Sequence, residues 1–260
     1  MNLFDIFGKL EKVDPELGER VSFNRRKMFG QLTSLAAAAV PVAAATLLKK
    51  SYAGPKDAIT DVLNYALTLE YLENKFYATA LASTVIPAAD KAVFTQIGKH
   101  EQQHVAFLKG ALAANAAAEP TFDFTAKGTF RDVFTNYQTF LALSQAFEDT
   151  GVRAYKGQAT ALMGDDALLT YALQIHAVEA RHASVVRRLR GQKGWITNND
   201  GGGTPAAIYT GEDNVSQGGV DITTLALMAG TKISKNAATE AFDEPLSMEQ
   251  VLPVAKLFIV

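Results

Sequence analysis

Between residues 55 and 192 the apolar positions recur at steps of three and four, the period of a helix that buries one face. Leu63, Ala66, Glu70, Tyr77 and Ala80 share one stripe, and Phe94, Ile97, Glu101, His104, Leu108 and Ala111 share a second. Leu141, Ser144, Glu148, Gly151, Tyr155 and Leu162 make a third, and Ala172, Ile175, Glu179, His182, Val186 and Leu189 a fourth. Four long helices are expected. Pro55 after Gly54 fits the first turn of the first helix, which should run to about Thr84 before Pro87 ends it. Asp90 is placed to cap the second, which should reach about Asn115. Thr129 with Asp132 gives a capping signal for the third. Gly164 and Asp165 divide the third from the fourth, and Gly191 stops the fourth. The two short connections make antiparallel hairpins. The long one, Asn115 to Gly128, could span roughly 43 Å when extended, enough to cross the length of a bundle.

The polar residues inside these stripes form a repeat. Glu70, Tyr77 and the tetrad Glu101–His104 are matched, 78 residues later, by Glu148, Tyr155 and the tetrad Glu179–His182. A Glu and a His three residues apart share a helix face, as do residues seven apart. Four carboxylates and two imidazoles therefore converge on one core. A lone ionised carboxylate there costs several kcal/mol, and four together repel. Two divalent cations resolve the conflict. Carboxylate oxygen with imidazole nitrogen suits iron or manganese. The chain has no cysteine, which excludes disulfides and argues against a structural zinc or an iron–sulfur cluster. One Glu from each of two helices, with Glu-x-x-His from each of the other two, is the ligand set of di-iron and di-manganese bundles.

On the stretches LTLEYLENKFY, EQQHVAFL, AFEDTGVRAY and HAVEARHASVVRRL, the chain resembles the ferritin-like superfamily, and more closely bacterial ferritin-like domain proteins of the desiccation-related type. The resemblance covers roughly residues 55–192. It implies an all-α, ferritin-like four-helix bundle of two antiparallel hairpins with a long crossover. It also implies that Glu70, Glu101, His104, Glu148, Glu179 and His182 are metal ligands, with two iron ions as cofactor and manganese as the alternative. Glu101 and Glu179 are the expected bridges.

Other residues in the bundle have weaker claims. Glu73 could be a seventh carboxylate ligand, or a charge at the rim facing solvent. Tyr77 and Tyr155 could bond a ligand carboxylate or simply pack. Asp149 could orient a ligand histidine, or be a solvated neighbour. His100 and His176 fall off the stripes and are expected not to be ligands. Arg187, Arg188 and Arg190 suit the dipole at a helix C-terminus.

Residues 1–54 read as a targeting segment or an N-terminal apolar helix. Arg25, Arg26 and Lys27 precede an Ala-rich run from Leu35 to Leu48, and FNRRKMFGQL resembles a twin-arginine export signal. Export to the periplasm is the expectation, with a cytoplasmic chain as the alternative; the run is short for a membrane span. Residues 193–260 form a loop-rich extension, with NNDGGGTP as loop chemistry and a short C-terminal helix capped at Ser247 and interrupted near Pro253. A net charge of −2 gives no footprint for nucleic acid.

The expected function is that of a di-metal carboxylate protein reacting with dioxygen or peroxide, a ferroxidase-like or peroxide-detoxifying oxidoreductase. The alternative is a non-catalytic metal-binding or structural protein, with homo-oligomer assembly through the N-terminal segment.

Overall fold

The computed structural model describes residues 56–225 and 231–260. Residues 1–54, expected to be a targeting segment or an N-terminal apolar helix, and Pro55 lie outside the described residues. Four long helices are present: α1 (Lys56–Ala82), α2 (Lys91–Leu112), α3 (Tyr137–Gln158) and α4 (Asp166–Leu189). α1 packs along α2 and α3 along α4, giving two hairpins joined by a crossover between α2 and α3. The architecture is the expected all-α bundle. Among the described residues, no helix is long and apolar enough to cross a membrane.

The helix ends follow local chemistry, and two differ from expectation. Asp90 makes no side-chain cap on α2; its Oδ2 accepts from the Tyr137 hydroxyl at 2.6 Å. α3 does not start at Thr129. Ala126, Lys127 and Gly128 all have positive φ, which turns the chain back before a helix can form. The cap falls instead to Asn136, whose side chain accepts from the Gln138 backbone N–H at 3.0 Å. At α4 Asp165 accepts from Ala167 and Leu168, as its sequence position suggests.

Packing divides the bundle core into two apolar layers along its axis. At one end Phe76 stacks on Phe140, with ring centroids 5.2 Å apart, and meets Phe147 edge-on at 5.0 Å. Each such ring contributes about 1.5–3 kcal/mol by burial. At the other end Leu63, Leu67, Leu108, Leu162 and Ile175 close the core. Glu70 lies on α1 between Leu67 and Phe76, so the polar repeat sits between the two layers.

The extension is bound to the bundle by polar groups and by apolar contacts, with Leu246, Val251 and Ala255 packed against Tyr65, Leu69 and Ala154. Arg153, fully buried on α3, donates to the carbonyls of Ile208, Thr210 and Glu244 and pairs with Glu212 at 2.7 Å. Gly157 lets Leu246 approach: a Cβ there would fall 1.9 Å from the Leu246 carbonyl oxygen. Two short strands, β1 (Ser216–Gln217) and β2 (Val220–Asp221), pair antiparallel across Gly218 and Gly219, both with the positive φ that a tight hairpin needs. Two short helices follow, α5 (Lys235–Thr239) and α6 (Met248–Ala255). Ser247 and Gln250 form the expected capping box, but Pro253 does not interrupt α6, which continues to Ala255. The last residues return to the crossover, where Asp123 N–H donates to Phe258 and Val260 N–H to Thr121.

Candidate metal centre

The six repeated residues meet in the bundle core. Glu70 comes from α1, Glu101 and His104 from α2, Glu148 from α3, and Glu179 and His182 from α4. The four carboxylates are fully buried, and the imidazoles nearly so. His104 Nδ1 lies 3.2 Å from Glu70, 3.1 Å from Glu101 and 3.0 Å from Glu179. His182 Nδ1 lies 2.9 Å from Glu101, 3.2 Å from Glu148 and 3.3 Å from Glu179.

One imidazole nitrogen carries at most one proton, so neither ring can satisfy three carboxylates. Glu101 Oε1, Glu148 Oε2 and Glu179 Oε1 are left without a hydrogen bond, although each lies near an imidazole nitrogen. Buried orphan oxygens of this kind fit a bound cation. One donor atom from each of Glu70, Glu101, His104 and Glu179 lies within 4.8 Å of all the others, and the same holds for Glu101, Glu148, Glu179 and His182. Each group could hold a metal ion, and Glu101 and Glu179 belong to both.

The electrostatics show what the cluster does without a cation. Burial raises Glu70 to about 8, partly opposed by its bond with His104. Burial likewise pushes Glu148 well above the usual carboxylate range. Glu179 goes the other way: burial opposes ionisation, but the close imidazoles of His104 and His182 hold it at about 2. Burial would lower His104, yet its bonds with Glu101, Glu179 and Glu70 push it up to about 12; His182 is raised in the same manner, with Glu148 as the largest favourable neighbour. The cluster neutralises itself with protons on the imidazoles and on part of the carboxylates.

The two tyrosines are placed reciprocally. Tyr77 donates to Glu148 Oε1 and Tyr155 to Glu70 Oε1, each across to the other hairpin. Tyr155, which bonds Glu70, also lines an apolar cavity with Val62, Leu63, Leu108 and Ile175; none of the six donor residues lines it. Glu73 is buried, not at a solvent-facing rim, and its carboxylate is raised well above its usual range by burial and by Glu179 and Glu148.

Asp149 does not orient a histidine and is not solvated. Both its oxygens accept from Arg187, at 3.0 and 2.5 Å, and Oδ2 also takes the Tyr209 hydroxyl at 2.6 Å. Arg187 and Arg190 thus do more than face a dipole, for Arg190 bonds Gln145 and the Gly202 carbonyl. His176 bonds the Val152 carbonyl at 2.9 Å. His100, expected not to be a ligand, belongs to neither donor group, but its Nδ1 lies 2.9 Å from His182 Nε2. Adjacency to Glu101 in sequence was the one available signal, and it does not say which neighbouring helix His100 faces.

A family model for the ferritin-like domain matches residues 58–192, just over half of the 260-residue chain, and spans all six converging residues. Among curated proteins none matches the chain.

Proposed function

This chain belongs to the ferritin-like domain family, and from that membership and the geometry of its core we propose a two-metal centre that reacts with dioxygen or peroxide. Iron is the first choice of metal and manganese the alternative. The observation that carries the reading is the pair of overlapping donor groups that share Glu101 and Glu179. In this reading Glu70 and His104 would complete one position, Glu148 and His182 would complete the other, and Glu101 and Glu179, common to both groups, would serve both ions. Four carboxylates balance two divalent ions, and the imidazole protons leave as metal binds. Redox-active ions held there would supply the electrons that reduce dioxygen or peroxide.

The chain's own residues do the rest. The apolar layers on either side keep bulk water away from the donors. Tyr77 and Tyr155 fix Glu148 and Glu70, so the terminal carboxylates are positioned before metal arrives. The apolar cavity beside Tyr155 suits a small uncharged reactant more than a charged one. The substrate consumed falls in one of three classes: Fe(II) itself, peroxide, or an organic molecule.

The test is reconstitution of purified protein with Fe(II) under anaerobic conditions, followed by exposure to dioxygen or peroxide in an oxidant-consumption assay. Consumption above that of free Fe(II), abolished by Glu101→Ala, supports the reading. Metal retained with neither oxidant consumed would leave a metal-binding bundle without redox work.

A further inference from the structure

Two features break the repeat, and both fall on the same side of the centre. The first is Glu73, three residues past Glu70. Its counterpart 78 residues later is Gly151. A Cβ built on Gly151 would lie 3.3 Å from Glu73 Oε1 and 3.6 Å from Glu179 Cγ, so the missing side chain is the space into which the Glu73 carboxylate reaches. The same point is 3.9 Å from Glu179 Oε2, the oxygen that faces His182. Glu73 therefore crosses from α1 to the second hairpin. Its electrostatic neighbours fall in the matching order, Glu179 and Glu148 ahead of Glu101 and Glu70.

The second feature is His100, whose counterpart is Val178, a side chain with neither donor nor acceptor. His100 Nδ1 lies 2.9 Å from His182 Nε2, and the two rings stack with centroids 5.2 Å apart. When Nδ1 of His182 is given to a metal, its one remaining proton would sit on Nε2 and be donated to His100 Nδ1. His100 would then hold its own proton on Nε2; the Gln96 amide nitrogen stands 2.7 Å away, so this arrangement has the amide turned over to present its oxygen. The chain from His182 through His100 to Gln96 fixes both the tautomer and the tilt of the His182 ring.

We propose that the two metal positions are inequivalent: the one built on His182 is the tight one, with His100 as its positioning residue and with Glu73, which lies outside both four-residue donor groups, as the carboxylate that would turn in to join it. This rests on the two-metal reading above. Partners that orient a ligand histidine typically change metal affinity 10–100-fold.

Stepwise titration of the metal-free full chain with Co(II), followed by absorption and calorimetry, tests it. The expected result is two binding steps separated by roughly tenfold or more. His100→Ala and Glu73→Gln should each weaken the tighter step and leave the weaker one in place. His100→Asn, which keeps an acceptor, should restore much of the loss, a rescue that a purely structural role would not give. His104→Ala should remove the weaker step alone. Two equal steps, or a loss confined to the weaker step in His100→Ala, would overturn the inequivalence and leave the two-metal reading standing. No Co(II) bound at all would remove both. His100 is partly exposed and Glu73→Gln preserves shape, so an unchanged circular dichroism spectrum separates lost binding from lost fold.

Discussion

Tyr77 of the first hairpin donates its hydroxyl proton to Glu148 of the second, and Tyr155 returns the bond to Glu70. Each tyrosine lies seven residues after the glutamate of its own helix, so the repeat ties the hairpins together twice at the level of the site. Burial and the facing glutamate raise both hydroxyls well above their ordinary range, which keeps them protonated as donors. Tyr77→Phe and Tyr155→Phe retain the ring but leave a buried carboxylate oxygen unpaired. Each is expected to cost about 1–3 kcal/mol in denaturant unfolding of the metal-free protein, with weaker metal binding besides. Variants as stable as the parent would show that the bond contributes nothing.

Stability of the metal-free chain should depend on pH with a definite sign. Glu70 is raised from 4.5 to about 8 and His104 from 6.5 to about 12. A group raised on folding contributes fully below its ordinary value, and its contribution is lost as pH climbs to the folded value. Glu179, lowered to about 2, gains its contribution between about pH 2 and 4.5. The metal-free chain is therefore expected to be most stable near about pH 5 and to lose Tm toward about pH 8. Metal replaces the protons, so the loaded protein should hold its Tm over the same range. Thermal melts of chelated and loaded samples at several pH values decide it. A metal-free Tm that rises from pH 5 to 8 would contradict the charge assignment.

The Asp149–Arg187 pair separates fold from site. Asp149, Arg187 and Tyr209 form a buried network that holds the extension against α3 and α4. Asp149→Ala leaves Arg187 buried without its partner and is expected to cost about 3–5 kcal/mol. Under conditions where the variant remains folded, metal stoichiometry should match the parent. A variant that is folded but short of metal would place Asp149 back in the site.

Periodicity made the bundle legible because a helix that buries one face must repeat every three or four residues, and the polar exceptions then stand out within each stripe. The site residues were readable for the same reason. What escaped was whatever depends on a second helix. Nothing local to Glu73 shows that Gly151 opens a space for it, since the two are far apart in sequence. His100 lies off the stripe of α2 because it faces α4. Thr129 and Asp132 have cap chemistry, but the left-handed residues Ala126 and Lys127 bend the chain first. Arg187 read as a dipole partner because its true partners, Asp149 and Tyr209, belong to other elements.

Glu101 and Glu179 are the two residues common to both donor groups, so losing either one should damage both positions at once. Glu179→Ala is expected to lower bound metal from two ions per chain to fewer than one, whereas Glu70→Ala should spare the position built on His182. Elemental analysis of each purified variant after equal loading reads this directly. Equal losses in the two variants would argue against the shared role.

Anomalous scattering from crystals of the loaded protein tests the centre most directly. Two transition-metal peaks are expected, one bounded by Glu70, Glu101, His104 and Glu179 and the other by Glu101, Glu148, Glu179 and His182. A loaded protein with no peak among these residues would contradict the two-metal centre.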